Sequence, residues 1–307
     1  MVKLLVENTL FGEYNKIDKA IELLKTYEPL AIKNHPEGYY VASSFGKDSL
    51  AVIILCILAK VKFAVHVNHT TLDTPELVRF TRYMQKWLKE NYNVDVYIHY
   101  PEESAWELIS RKLFPPTRRA RYCCDVLKEK GGEGRICITG VRWQESNSRA
   151  ANRSMLEANA YTKKKIRLNN DNDEARKQFE TCIKKGKHII NPIIAWSDED
   201  VWELIKLEDF PYCELYDKGW DRLGCIGCPL SSNQEKELEL YPKYKENYLR
   251  AFRRMAINRR KKGKTFWINP EDAEEIMEWW IHGTKKSNIL DGQIEMELQQ
   301  LEELEDE

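Results

Sequence analysis

No stretch of this chain stays apolar for long enough to cross a membrane as a helix. The most apolar segment, Ala51 to Ala59, falls far below the ~20 residues such a span needs. An excess of charge of one sign is also missing: 48 Lys and Arg stand against 49 Asp and Glu, a formal net charge of −1. That removes any global attraction to nucleic acid or to an anionic membrane surface, and leaves only local clusters to provide one. Internal repeats are lacking. So is a Walker loop, which would need glycine at Val41 and Ser or Thr at Asp48. The opening residues Met1-Val2-Lys3-Leu4-Leu5-Val6-Glu7 meet a charge too early for a secretory signal. A cytoplasmic protein with no membrane partner is therefore expected, in a compartment where disulfides are rare.

The composition that remains, 42% hydrophobic and 32% charged over 307 residues, suits one α/β domain with a smaller appendage. Residues 15 to 28 have helical apolar spacing. Pro36-Glu37-Gly38 breaks the chain, and Tyr39 to Ser43 reads as a buried strand. A helix is expected from Asp48 to Lys60 and another from Thr74 to Asn91. Further strands are expected over Phe63–Val67, Val94–His99, Ile136–Val141 and His188–Ile194. Strands alternating with helices imply βαβ units, hence a Rossmann-like, mostly parallel sheet flanked by helices. Ligands of such sheets bind beyond the carboxyl ends of the strands. Asn152 to Gly186 is polar and weakly periodic and reads as an excursion over that face. From Glu235 the pattern is helical, and Glu295 to Glu307 is rich in Glu. The expected division is an N-terminal helical segment (1–35), a nucleotide-binding α/β domain carrying the cysteine site (36–232), and a helical C-terminal region with an acidic tail (233–307).

Ser43-Ser44-Phe45-Gly46-Lys47-Asp48-Ser49 lies between a buried strand and a helix start. There, backbone N–H groups and the positive helix end can hold phosphate. Gly46 would admit close backbone approach, Ser44 and Ser49 offer hydroxyls, and Lys47 offers a point charge. A plain strand–turn–helix junction with Asp48 as N-cap is the alternative.

Ser44-Phe45-Gly46-Lys47-Asp48-Ser49 resembles the pyrophosphate-binding PP-loop of the ATP pyrophosphatases and phosphoadenosine-phosphosulfate reductases. Three more segments follow in that family's order. Thr70-Thr71-Leu72-Asp73-Thr74-Pro75-Glu76 is similar to its "DTG…PET" segment. Thr139-Gly140-Val141-Arg142 with Glu145-Ser146 and Arg149 is similar to its "TGxR…ES…R" segment. Leu215-Tyr216-Asp217-Lys218-Gly219 with Gly224-Cys225-Ile226-Gly227-Cys228 is similar to its "LYDxG…GCxxC" region. The resemblance covers residues 36 to 232 and implies a PP-loop fold. It also implies an adenine nucleotide, either ATP or an adenylylsulfate-type compound, bound by Ser44, Phe45, Gly46, Lys47, Asp48, Ser49, Thr71, Gly140, Arg142 and Arg149, with Lys47 and Asp48 catalytic. The Phe45-Gly46 half is closer to the reductases, and Lys47-Asp48-Ser49 to members that cleave ATP to AMP and pyrophosphate. The reductases' C-terminal Glu-Cys-Gly motif has no counterpart, because no cysteine follows Cys228.

Eight cysteines in a cytoplasmic chain call for an explanation other than disulfides. Cys123-Cys124 and Cys225-x-x-Cys228 are two close pairs of soft ligands, a pattern for an iron–sulfur or zinc site. The same CC…CxxC arrangement resembles that of adenylylsulfate reductases and implies a [4Fe–4S] cluster. Cys213 is a rival fourth ligand, Cys56 reads as core, and Cys137 and Cys182 lack a ligand context. Arg118, Arg119, Arg121 and Lys128 flank the first pair and would offset cluster or ligand charge. Arg250 to Lys264 holds eight basic residues and no acidic one. It is either a solvated helix face or a patch able to meet nucleic acid or the acidic tail. Three functions follow: an ATP-cleaving PP-loop enzyme of sulfur transfer or sulfonucleotide metabolism, a sulfonucleotide reductase fed by an external thiol or sulfur donor protein, and a non-catalytic nucleotide- or nucleic-acid-binding accessory.

Overall fold

The structure, a computed structural model, describes residues 5–9, 12–129, 131–160, 166–169 and 187–283. Cys182, the Glu-rich 295–307 segment and most of the polar stretch 161–186 lie outside those residues. The chain divides into two compact units. One comprises residues 1–67, 75–99 and 131–223; the other comprises 68–74, 100–130 and 224–307.

The first unit is built on a seven-stranded sheet. Its strands are β3 (Tyr39–Ala42), β4 (Phe63–Asn68), β5 (Val96–His99), β6 (Ile136–Ile138), β7 (Leu156–Ala160), β8 (Ile166–Leu168) and β9 (Lys187–Ile190), in the spatial order β5-β4-β3-β6-β9-β7-β8. β4, β3, β6 and β9 run parallel, while β7 is antiparallel to both β9 and β8. The mostly parallel sheet flanked by helices that the βαβ rhythm predicts is present. Alternate residues of the central strands face opposite sides: Tyr39, Val41, Ile136, Ile138 and Ile190 enter the main core, and Tyr40, Cys137 and Ile189 form a small second one.

Helix α1 (Lys16–Asn34) starts where the Asn15 carboxamide accepts the Ile17 and Asp18 N–H groups, and it buries Ala20, Leu23, Leu24, Tyr27 and Ala31 along one stripe. Helix α2 (Lys47–Ala59) is apolar almost all round because it is wedged between α1 and the helix Asp198–Leu207. Leu50, Val52, Ile53 and Leu55 are wholly buried there, each contributing about 1.5–3 kcal/mol relative to exposure. Helix α3 (Pro75–Tyr92) adds Leu77, Met84 and Leu88 to the same core.

Two expectations need correction. Residues 1–35 are not purely helical, since β1 (Val6–Thr9) and β2 (Gly12–Asn15) form an antiparallel pair before α1. The polar stretch from Asn152 is not wholly an excursion, because β7 and β8 extend the sheet. Glu157 masks that strand in the sequence. It is fully buried in β7, where its carboxylate accepts from Arg153 Nε at 2.7 Å, the Ser154 N–H at 3.1 Å and Asn191 Nδ2 at 3.1 Å.

The second unit is helical. The helices Ala105–Lys112, Tyr122–Leu127, Gln234–Leu240, Pro242–Lys261 and Ala273–His282 pack Leu108, Phe114, Tyr248, Phe252, Trp267, Trp279 and Trp280 into one aromatic-rich core. Trp279 and Trp280 thus belong to packing. Among the described residues, no helix is long and apolar enough to cross a membrane.

Candidate nucleotide site and cysteine cluster

Four residues, 43–46, separate the end of β3 from the start of α2. Ser43 Oγ accepts the Phe45 N–H at 3.0 Å and bonds Ser49 Oγ at 3.1 Å, and Ser49 Oγ donates to the Gly46 carbonyl at 2.9 Å. Phe45, at φ +51°, is fully buried and sets its ring edge-on to Phe80 at 6.1 Å. Two serine hydroxyls and one buried ring thus fix the loop before any ligand arrives. Gly46 has extended backbone, and a Cβ there would meet only Tyr216 Oη at 3.4 Å and Ser44 Oγ at 3.6 Å. The fold itself does not demand glycine at this position.

Lys47 is 7% exposed. Its N–H donates to Tyr216 Oη at 2.8 Å, and its ammonium donates to the Asp221 carbonyl at 3.2 Å and lies 3.4 Å from Asp198 Oδ1. Arg142 is 2% exposed and is the largest wholly buried side chain together with Arg259. Its Nε donates to Asp48 Oδ1 at 2.7 Å, and its other nitrogens donate to Gln144 Oε1, the Trp196 carbonyl and Asp198 Oδ1. Burial pushes the Asp48 carboxyl above its ordinary range, against the pull of Lys47 and Arg142. Burial works against the Arg142 cation, but the Asp48 and Asp198 charges outweigh it and leave its pKa raised. Two cations and two carboxylates therefore meet at the carboxyl ends of β3 and β6, where α2 also directs its positive end.

In the second unit, Cys123 and Cys124 lie on the helix Tyr122–Leu127. Cys225 and Cys228 lie on a turn closed by the Cys228 N–H to the Cys225 carbonyl at 3.3 Å. Gly227 is at φ +70°, and a Cβ would come within 3.0 Å of Leu238 and 3.1 Å of Tyr248. Glycine is required there by conformation and by space alike. Glu237 accepts the Gly227 N–H at 2.9 Å, Gln234 donates to the Gly227 carbonyl at 3.2 Å, and Tyr248 Oη donates to the Ile226 carbonyl at 2.8 Å. Cys225 Sγ reaches Thr70 Oγ1 at 3.4 Å.

The adjacent thiols of Cys123 and Cys124 act on each other. A hydrogen bond with Cys124, then burial, then the Cys124, Cys225 and Cys228 charges all push Cys123 up. Cys124 is lowered to about 6, first by its bond from Cys123 and, against burial, by Arg121 and Lys128. Burial raises Cys225 to about 12. Yet among the described residues no three His, Cys, Asp or Glu side chains are gathered so as to hold one metal ion. A single tetrahedral zinc would need sulfurs only about 3.8 Å apart, given its bond length. An iron–sulfur cubane ties each thiolate to a separate iron and spreads them wider. Cys123, Cys124, Cys225 and Cys228 put four soft donors in one unit, the donor type that either group takes.

The domain model for phosphoadenosine phosphosulfate reductases matches residues 38–231. The chain belongs to this family. Two uncharacterized proteins of Methanocaldococcus jannaschii are 30% and 26% identical to it, over 70% and 81% of this chain but only 42% and 56% of their own lengths. The chain thus spans about half the length of those relatives. An adenosine 5'-phosphosulfate reductase of Shouchella clausii is 25% identical, over 70% of this chain and 82% of its own. A solved phosphoadenylyl-sulfate reductase from Candida auris overlaps 68% of this chain and 93% of its own, with TM-score 0.41 and 19% identity.

Within this reductase family chain, the two units share out the residues expected from sequence. Ser44, Phe45, Gly46, Lys47, Asp48, Ser49, Gly140 and Arg142 come together in the first. Gly140 has a packing reason: a Cβ would stand 2.7 Å from the Asp48 carbonyl. Arg149 pairs with Glu145 on the surface. Thr71 lies in the second unit, where its hydroxyl accepts the Ala105 N–H at 2.9 Å. Cys213 is buried in the first unit's core, as is Cys56, so the second unit gathers the CC and CxxC pairs without Cys213. Arg118 donates to the Pro229 carbonyl at 2.9 Å, and Arg121 bonds Cys124. The Arg250–Lys264 run is not one open patch. Arg259 is fully buried against Phe266 and Leu113, and Arg253 pairs with Glu274. Sequence reasoning missed Asp198, Tyr216 and Asp221 beside Lys47. Tyr216 alone carried a signal, inside the Leu-Tyr-Asp segment.

Proposed function

We propose that the chain binds ATP or an adenylylsulfate-type nucleotide over Ser44–Ser49 and cleaves ATP to AMP and pyrophosphate, in sulfur transfer or sulfonucleotide metabolism. The observation that carries this reading is the meeting of Lys47, Arg142 and the first turn of α2 at the carboxyl ends of β3 and β6, in a chain of this family. A substrate oxygen attacks the α-phosphorus and becomes adenylylated, and AMP leaves later when a sulfur nucleophile displaces it from that substrate. The new P–O bond forms as the bridging α–β bond breaks, and pyrophosphate leaves with the electron pair. Lys47 and the loop amides stabilise the charge that builds on the phosphates. Asp48 and Asp198 keep the two cations aligned. Cys123, Cys124, Cys225 and Cys228 would hold a [4Fe–4S] cluster, with zinc the alternative. Such a cluster supplies electron-transfer chemistry or a structural clamp.

The relatives named adenosine 5'-phosphosulfate reductase favour a second reading. There a thiolate of a donor protein attacks the nucleotide's sulfur, AMP leaves, and a second thiol releases sulfite as a disulfide forms. Product analysis separates the two. Pyrophosphate from ATP, reduced about 100-fold or more in Lys47→Ala as for other lost anion-stabilising groups, supports cleavage. Sulfite from adenylylsulfate plus a dithiol supports reduction, and turnover of neither nucleotide overturns both.

A further inference from the structure

Both groups through which Lys47 can meet an anion make a hydrogen bond to one short segment of the chain, and the ammonium also lies near Asp48 and Asp198. The Lys47 N–H, the first of α2, donates to Tyr216 Oη at 2.8 Å, and the Lys47 ammonium donates to the Asp221 carbonyl at 3.2 Å. An N–H at a helix start has no partner within its own helix and is normally met by a side chain, water or ligand. Here a phenol 169 residues away in the chain supplies the oxygen. The same oxygen lies 3.4 Å from where a Gly46 Cβ would stand, against the backbone surface that a phosphate would approach.

The segment that carries the phenol is held together by its own bonds. The Tyr216 N–H donates to the Cys213 carbonyl at 3.1 Å, the Gly219 N–H to the Tyr216 carbonyl at 3.1 Å and the Trp220 N–H to the Leu215 carbonyl at 3.1 Å. Buried Cys213, Leu215 and Leu223 root it at both ends, while Asp217, Lys218 and Gly219 are exposed. Burial raises the Tyr216 pKa, so the phenol stays neutral. Trp202 supports it edge-on at 4.8 Å.

We propose that Tyr216 is a stand-in for a phosphate oxygen, and that an anionic ligand engages Lys47 by displacing it together with the Asp221 carbonyl. The inference rests on the loop being the nucleotide site. An N–H has one hydrogen to give, so phenol and phosphate compete for it. The phenol holds the loop in its binding shape when empty and lowers affinity by the value of the bond that must be exchanged.

Inorganic pyrophosphate and ATP are the probes, titrated by calorimetry into the whole chain and into Tyr216→Phe and Lys47→Ala. Tyr216→Phe keeps the ring against Trp202 but removes the competing oxygen. It should bind both probes about two- to tenfold more tightly, the worth of one neutral hydrogen bond. Amide exchange over residues 213–221 should speed up when pyrophosphate binds the unmodified chain. Tyr216→Phe binding that is weaker or unchanged, alongside loss of binding in Lys47→Ala, overturns the stand-in role and leaves the nucleotide site intact. Equal binding in Lys47→Ala and the unmodified chain, or no binding by either, overturns the site and the inference with it.

Discussion

Around Lys47 and Arg142 the charges meet opposite charges and a carbonyl, Asp48, Asp198 and the Asp221 carbonyl, whereas the first partner of the Cys123 thiol is another thiol, Cys124. In the first unit, burial of Arg142 is matched by carboxylates and carbonyls, so its charge is balanced by the chain itself. In the second, the turn backbone is satisfied by Glu237, Gln234 and Tyr248, while Cys123 and Cys225 are driven toward the neutral thiol by burial and by neighbouring sulfurs. A ligand at the first site has to exchange existing bonds. A cation at the second would supply what the donors lack, since thiolates packed together need positive charge. The two sites should therefore respond in opposite ways to losing one side chain.

Cys228→Ser puts the greatest strain on that contrast. Anaerobically purified protein should be brown with iron and sulfide near four each per chain, as a cubane requires, and Cys228→Ser should lose nearly all of both. Cys56→Ser, altering a core residue of the other unit, should keep them. Colourless protein with one zinc per chain would replace the cluster with a zinc site.

Arg142→Ala comes next. It removes the nearer of the two cations beside Asp48 and Asp198, leaving Lys47, and because Asp198 is half exposed the loss should stay at about 2–3 kcal/mol, below that for a fully buried pair. Urea denaturation measures it, and iron content should not change. A loss of iron as well would mean that the cysteine cluster depends on Arg142.

A third effect concerns acid. His66 on β4 is held down to about 3, by burial first and then by Arg135 and His99. Its folded value lies below the ordinary value of about 6.5. Its contribution is therefore present above pH 6.5 and drains away as pH falls toward 3. Melting temperature should fall over that window, and less steeply in His66→Gln. Equal slopes would remove His66 from the acid response.

Much of the first unit was legible because its information is local. The apolar runs at Tyr39–Ala42 and Phe63–Asn68, with Pro36 and Gly38 before the first and Gly46 between them, mark parallel strands, and Ser44–Ser49 is one contiguous motif. What stayed hidden was not local. β7 contains a buried Glu157 that breaks the apolar pattern, and β1 and β2 are four-residue strands rich in polar residues. Asp221 meets Lys47 from 174 residues away. The second unit is drawn from three separated segments. The cysteine pairs stood out by type and spacing, but nothing near them in the chain announced Tyr248 or Glu237 as supports of the turn. The basic run at Arg250–Lys264 misled because charge alone does not report burial. Arg259 is interior, stacked at 4.3 Å on Phe266.

The central claim is that Ser44–Ser49 receives the nucleotide's phosphates, and calorimetric titration of ATP and adenylylsulfate into Gly46→Ala tests it most directly. The Cβ fits the folded chain, with no atom nearer than 3.4 Å, so the variant should melt within a few degrees of the unmodified protein. It should bind at least one of the two nucleotides about tenfold or more weakly, because the added methyl intrudes where backbone must approach phosphate. Unchanged affinity for both nucleotides in a normally folded Gly46→Ala protein would contradict the claim.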